Sequence, residues 1–108
     1  MQELKNESEF QLCPRFEKAF VIIGKRWTGL IIRTLMHSRM RFSDMEQAIP
    51  HLSARMLSAR IRELEQEGLV RRLVRPESPI RIEYELTEKG RDLSKALTEI
   101  QAWAERWS

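Results

Sequence analysis

The strongest constraint on the fold of this chain is a change in the spacing of its apolar residues at Gly68. Before Gly68, Leu57, Ile61 and Leu64 recur at intervals of four and three residues, the spacing of one face of an α-helix. Across residues 80–86, apolar and charged residues alternate, which is typical of a half-buried β-strand. The sequence therefore predicts a helix that passes through a turn into a β-hairpin.

Two signals separate this helix from a shorter one before it. Pro50 ends the shorter helix, because the residue before a proline is disfavoured in the helical region of backbone space. Ser53 is a favourable N-cap for the longer helix. This order predicts a helix-turn-helix at about residues 43–67 and a wing, formed by the hairpin, at about residues 69–86.

Local patterns also predict finer features of this unit. Ser43 and Glu46 have the spacing of a capping box, in which each side chain accepts the backbone N–H of the other residue. A short additional strand is predicted near residues 41–42, beside the hairpin. On the hairpin itself, Glu83 and Glu85 are interpreted as the solvent-exposed face.

Three further helices are predicted outside the helix-turn-helix and the wing. The first begins at Pro14, a residue suited to the first helical position, and ends at Gly24. The second covers residues 27–36, with Trp27 in the core, and the last covers residues 87–107. The fold class predicted for the single 108-residue domain is α+β, mainly α: a winged helix-turn-helix with a small antiparallel sheet and terminal dimerisation helices.

Charge and composition narrow the classes of function. Residues 13–42 contain seven basic residues and one acidic residue, a focused positive charge that favours a polyanionic partner. The polar amino-terminal segment does not resemble a secretory signal, no apolar run is long enough for a bilayer, and one cysteine excludes an internal disulfide. His37 and His51 lack metalloprotease spacing, and no nucleophile motif is present. We therefore expect a cytoplasmic protein without a metal or another cofactor, neither an enzyme nor bound to a membrane.

A resemblance to a known family rests on three segments, CPRFEKAFVIIGKRWTGLIIRTLM, RFSDMEQAIPHLSARMLSARIRELEQEGLVRR and RPESPIRIEYELTEKG. Together they are similar to the HxlR family of bacterial winged-helix transcription regulators, relatives of the MarR group, over about residues 13–107. The resemblance implies a dimeric DNA-binding regulator, commonly a repressor. It is strongest to the subset that includes YodB-like and HypR-like regulators, in which a cysteine before the first helical proline senses quinones, other electrophiles or disulfide stress. In this chain that cysteine is Cys13.

The second helix of a helix-turn-helix lies in the DNA major groove, which identifies candidate DNA-binding residues. They are predicted on the outward face of that helix, beside the wing tip and before the first helix of the motif. The candidates are Ser53, Arg55, Ser58, Arg62, Arg75, Arg81 and Arg41. In the alternative interpretation the helix is a solvated charged surface, on which Glu63, Glu65 and Glu67 neutralise its arginines.

The last helix carries apolar residues at alternating three- and four-residue steps, the spacing of a helix–helix contact. A second copy of the chain would cover this stripe, assisted by aromatic residues of the first helix. The predicted dimer interface consists of Phe16, Phe20, Leu93, Leu97, Ile100, Trp103 and Trp107. Because a twofold dimer presents two recognition helices, the expected partner is double-stranded DNA with an inverted-repeat operator. Alternatively, the stripe packs only on its own domain.

Cys13 is the only candidate for covalent chemistry in the sequence. It precedes a helix, close to Arg15 and Lys18, and a helix N-terminus and nearby cations both favour the reactive thiolate. We expect oxidation or alkylation of Cys13 to release the DNA. The alternatives are an unreactive buried cysteine in a regulator that responds to a noncovalent ligand, and a winged helix that binds proteins instead of DNA.

Overall fold

A computed structural model describes residues 9–108, so most of the polar amino-terminal segment interpreted above lies outside the described residues. From Pro14 onward, the order of elements is helix, helix, helix, helix, strand, strand, helix. These are α1 (Pro14–Ile23), α2 (Thr28–His37), α3 (Phe42–Ala48), α4 (Ala54–Gln66), β1 (Val70–Arg75), β2 (Arg81–Leu86) and α5 (Glu88–Trp107). The predicted fold class, a mainly helical winged helix-turn-helix, is confirmed.

The wing is a two-stranded antiparallel sheet in which Val70 lies opposite Leu86 and Arg75 lies opposite Arg81. The additional strand predicted near residues 41–42 is displaced by one residue. Met40 forms a single bridge to Tyr84, with N···O distances of 3.0 and 2.8 Å. The predicted pairing beside the hairpin is therefore present, but it is limited to one residue because α3 begins at Phe42.

The start of α3 also differs from the predicted capping box. Arg41 is the N-cap residue, and its backbone N–H donates to Oδ2 of Asp44 at 3.0 Å. Ser43 therefore lies inside the helix and does not cap it. Asp44 sits at the third helical position, where a carboxylate reaches back to the N-cap N–H, so it performs the role assigned to Glu46.

The hydrophobic core lies between α2, α3, α4 and the wing. The predicted stripe of α4, formed by Leu57, Ile61 and Leu64, is fully buried. Trp27 packs half-buried against this core, but it precedes α2 as a left-handed residue with φ of 82°. The complete buried apolar set is Ile31, Ile32, Leu35, Met45, Ile49, Leu52, Leu57, Ile61, Leu64, Leu69, Val70 and Leu86.

The turns around α4 match the sequence prediction. Oγ of Ser53 accepts the backbone N–H of Met56 at 3.1 Å, which confirms the N-cap. His51 adopts a positive φ of 71° in the turn after Pro50. At the other end of α4, Gly68 has a φ of 75°, a conformation that glycine adopts without steric cost.

Gly90 provides a test of how α5 joins this core. A Cβ atom at Gly90 would overlap the backbone oxygen of Leu69, and that backbone cannot move without disturbing β1. We expect Gly90→Ala to lower the free energy of unfolding by about 1–3 kcal/mol. The matched control is Gly29→Ala, where a Cβ atom meets nothing within 4 Å. Equal thermal unfolding midpoints for the two variants would contradict the close approach.

Candidate nucleic-acid interface

The outward face of α4 carries the predicted DNA-binding residues of this helix. Ser53, Arg55 and Arg62 are exposed, whereas Ser58 is half-buried. The buried stripe of α4 lies on the opposite side and packs on the core. Because the first turn of α4 contains no acidic residue, the amino-terminal half of this face is basic.

The acidic residues of α4 do not neutralise these arginines. Glu63 pairs with Arg60 at 3.2 Å and with Lys25 at 3.3 Å, on a different side of the helix. Neither Arg55 nor Arg62 forms an ion pair with any residue between 9 and 108. The alternative interpretation therefore holds for Arg60 but not for the two arginines on the outward face.

A groove of about 200 Å³ separates α4 from the wing. Ser58, Arg62 and Glu65 line it from the helix, and Arg72 lines it from β1. Arg72 was not among the predicted site residues, because the sequence does not show which hairpin residue faces α4. The strand register decides this, since it places Arg72 opposite Tyr84.

Unlike the outward-facing arginines of α4, most arginines of the wing form ion pairs with neighbouring carboxylates. Arg75 donates from Nε to Oε1 of Glu83 at 3.2 Å, and Arg81 lies 3.9 Å from the same carboxylate and 4.0 Å from Glu77. Glu85 accepts from Arg71 at 2.8 Å. The interpretation of Glu83 and Glu85 as solvent-exposed was wrong: each side chain is only 15% exposed, since cross-strand arginines cover it.

Arg41 lies next to the wing tip, although 40 positions in sequence separate it from Arg81. The two arginines line one groove of about 240 Å³, together with residues 77–80 and 82. The bridge between Met40 and Tyr84 brings the two segments together. Arg41 is exposed and contacts Asp44 at 3.6 Å, so its charge is shared with the start of α3.

The predicted dimer residues of α5 fall into two groups. Leu93 and Leu97 are half-buried against the core of their own chain. Ile100, Trp103 and Trp107 are 53%, 57% and 71% exposed. The alternative, that the stripe packs on its own domain, therefore holds only for the first half of α5. The second half leaves an apolar surface uncovered within one chain.

α1 carries a second exposed apolar surface. None of the residues of this helix is buried, so its apolar side chains remain in contact with solvent. Phe16 and Phe20 are exposed, with ring centroids 4.9 Å apart and an interplanar angle of 72°. Aromatic pairs prefer this edge-to-face arrangement. Both predicted aromatic residues of α1 are therefore available to a partner.

Cys13 is exposed and is the N-cap residue of α1. Its carbonyl oxygen accepts the N–H of Glu17 at 3.0 Å, but its side chain makes no capping hydrogen bond. Pro14 has no N–H, so the first N–H groups of α1 without a partner in the helix belong to Arg15 and Phe16. Among the described residues, no helix is long and apolar enough to span a membrane, and no three His, Cys, Asp or Glu residues are grouped to hold a metal.

Comparison with known proteins places this arrangement in a family. The HxlR-like helix-turn-helix family matches residues 22–108. The chain is 54% identical to the Bacillus subtilis regulator YvaP, an HTH-type transcriptional regulator, over 102 residues, covering 94% of this chain and 93% of YvaP. The reduced form of YodB, a transcriptional regulator from B. subtilis, superposes with a TM-score of 0.81 and 46% identity, covering 90% and 95% of the two chains.

Related structures include modified forms of such regulators. YodB treated with diamide has a TM-score of 0.77 and 46% identity, covering 91% and 97% of the two chains. Quinone-bound YodB has a TM-score of 0.76 and 44% identity, covering 89% and 100%. The oxidised redox regulator HypR has a TM-score of 0.83 and 33% identity, covering 89% and 98%. The chain belongs to the HxlR-like family and is a DNA-binding helix-turn-helix transcriptional regulator.

Proposed function

We propose that the protein is a cytoplasmic, dimeric repressor that binds a specific operator and releases it when Cys13 is oxidised or alkylated. The observation that carries the proposal is that Arg55 and Arg62 are exposed and unpaired with any described carboxylate, on the face of α4 opposite its buried stripe. A guanidinium group that is already paired cannot donate freely to a base. Arg55 and Arg62 can each donate two hydrogen bonds to one guanine, at its O6 and N7 atoms.

The remaining contacts position the helix on the DNA backbone. The amino-terminal N–H groups of α4, beside Ser53, point toward a phosphate when the helix enters the major groove. Arg72 lines the groove between α4 and the wing from the strand side, where its guanidinium group can contact a phosphate. Arg41, Arg75 and Arg81 extend this surface toward the wing tip, as backbone contacts more than base contacts, because acidic residues already pair with them.

Dimerisation is supported by the uncovered apolar residues of α1 and α5. A second chain would remove these side chains from water. Each Å² of apolar surface buried in this way stabilises the dimer by a free energy of about 25 cal/mol. A twofold pair would place two copies of α4 about 34 Å apart, one turn of DNA. The operator is therefore proposed to be an inverted repeat.

The dimer interface can be tested on the exposed half of α5. We expect the double variant Trp103→Ser and Trp107→Ser to sediment as a monomer at concentrations where the wild type is a dimer, because it loses the largest uncovered apolar side chains. The control is Val74→Ser, which removes an apolar side chain of the wing that is 54% exposed. A Trp103/Trp107 variant that remains dimeric would exclude this surface as the interface.

Modification of Cys13 has three chemical outcomes, since no second cysteine is present. Diamide can join the two Cys13 residues of a dimer in a disulfide, with reduction of diamide to its hydrazine, or join Cys13 to a small thiol. A quinone accepts the thiolate and becomes a hydroquinone thioether. The diamide-treated and quinone-bound structures of YodB support these two classes of inducer.

A binding titration tests the proposal as a whole. We expect reduced protein to bind the DNA upstream of its own gene, with log affinity falling linearly with log salt by about 0.9 per phosphate contact. Treatment with diamide or a quinone should release that DNA. Weak binding without this salt dependence would instead favour a winged helix that binds proteins.

A noncovalent ligand is a second candidate for the signal, and one feature favours it. An apolar groove of about 330 Å³ lies between α2 and α5, lined by Trp27, Leu30, Leu97 and Ile100. Arg33 and Gln101, hydrogen-bonded at 2.5 Å, lie at the same groove. Release of DNA by an apolar compound from a protein whose Cys13 remains unmodified would support this alternative.

A further inference from the structure

A set of charged residues connects the turn between α1 and α2 to the recognition helix α4. The carboxylate of Glu63 accepts from Nη1 of Arg60 at 3.2 and 3.3 Å and lies 3.3 Å from Nζ of Lys25. Nε of Arg60 donates to the backbone oxygen of Arg26 at 3.4 Å. Glu63 therefore bridges a cation of its own helix and a cation of the turn, and we call this set the Glu63 bridge.

Packing alone does not fix the contact between α1 and α4. A space of about 290 Å³ lies between them, lined by Val21, Lys25, Glu63 and Gln66 among others. Apolar side chains that interdigitate set an angle between helices, whereas an open space does not. The Glu63 bridge crosses the edge of this space, so it restrains the angle there.

The far end of α4 is held separately by the beginning of α5. Nζ of Lys89 donates to the backbone oxygen of Glu67 at 2.6 Å, and Oγ1 of Thr87 donates to that of Gly68 at 2.6 Å. Both attachments act on the two residues that directly follow α4. The amino-terminal half, which carries Arg55, is held by neither attachment but by burial of Leu57 in the core.

This arrangement makes the position of Arg55 sensitive to a small rotation. Arg55 precedes Glu63 by eight residues, a distance of about 12 Å along the helix axis. A rotation of about 10° at Glu63 would displace Arg55 by about 2 Å, more than the tolerance of a bidentate hydrogen bond. Removing the carboxylate would also leave Lys25 and Arg60 adjacent and unneutralised, and their repulsion favours such a rotation.

We propose that Glu63 is a positioning residue for operator recognition, which holds α4 at the angle that its base contacts require by bridging Lys25 and Arg60. This inference rests on the proposed function, because it assumes that α4 reads DNA bases. It assigns to an acidic residue, which itself repels DNA, a role in increasing sequence specificity.

The test compares specific and nonspecific binding. A duplex selected by the reduced wild-type protein from a random library is the operator probe, and a scrambled duplex of equal length is the nonspecific probe. We expect Glu63→Gln to lower affinity for the selected duplex about tenfold, the scale of one base contact, with affinity for the scrambled duplex lowered by less than about twofold. Hydrogen exchange of the amides of residues 25–28 should become faster, by about threefold or more.

Glu67→Gln is the matched control, because it removes the same charge at the carboxyl-terminal end of α4. Glu67 lines the same space as Glu63 but forms no ion pair within residues 9–108. This variant should leave the ratio of the two affinities unchanged. In a double-mutant cycle, Lys25→Gln added to Glu63→Gln should cause no further loss of specificity. Lys25→Arg should keep the wild-type ratio.

Three results would overturn the inference: an unchanged affinity ratio for Glu63→Gln, an equal loss for Glu67→Gln, or unchanged exchange at residues 25–28. Failure of the proposed function looks different, because the wild-type protein itself would then select no sequence from the library. The thermal unfolding midpoint of the Glu63→Gln variant distinguishes these two failures from misfolding of the variant. We expect it to change by less than about 4 °C, the scale of a surface ion pair.

Discussion

Arg55→Ala is expected to make the free energy of operator binding less favourable by about 2–6 kcal/mol. One bidentate contact between arginine and guanine contributes about 1–3 kcal/mol of discrimination, and a twofold dimer loses that contact in both half-sites. The variant should also become indifferent to the base at one position of each half-site. Titration against operators substituted at each position measures both effects.

A charge-matched control separates base recognition from the loss of positive charge. Arg91→Ala removes one exposed arginine from the first turn of α5, outside the grooves of α4 and the wing. It should weaken binding to all sequences equally, by a small factor. If Arg55→Ala behaves in the same way, with every base preference retained, Arg55 does not read a base.

Cys13→Ser is expected to preserve operator binding in reduced protein and to abolish release by diamide and by quinones. Serine retains the size of the side chain, but its hydroxyl does not form the nucleophile that attacks these reagents. In the wild type, modification should weaken operator affinity about 5- to 150-fold, the usual range of coupling between two sites. Fluorescence anisotropy with and without each reagent gives both affinities.

Mass spectrometry of the same samples identifies the chemical outcome. A doubled mass that returns to the monomer mass with reductant indicates a disulfide between two copies of Cys13. An added quinone mass indicates the thioether. Release of DNA from the serine variant at the same reagent concentration would mean that Cys13 is not the switch.

The elements that could be predicted are those whose cause is local in sequence. Pro14 and Ser53 each begin a helix through a property of that residue, a missing N–H group or a side-chain acceptor. The stripe of α4 follows from the helical period alone. The start of α3 was misplaced because Ser43 and Asp44 are both common near helix starts, and the tertiary bridge at Met40 selects the earlier position.

The candidate site was predictable only in part, because exposure follows from the helical period but pairing does not. Arg55 and Arg62 lie opposite a buried stripe, which the spacing of residues already indicates. Arg62 has Glu65 three residues later, at pairing distance on the same helix. The sequence does not show that this ion pair is absent, whereas the structure of residues 9–108 does. Arg72 could not be predicted for a similar reason, because its place beside Arg62 follows from the tertiary position of the wing.

The order of residues by itself determined the sequence of elements, the buried face of the recognition helix and the position of Cys13 at a helix start. Each of these depends on backbone geometry over one or two helical turns or on alternation along a strand. The tertiary structure decided which charges are neutralised and which apolar residues stay uncovered. Glu83 is covered, whereas Trp107 is exposed, because both outcomes depend on residues brought close only when the chain packs.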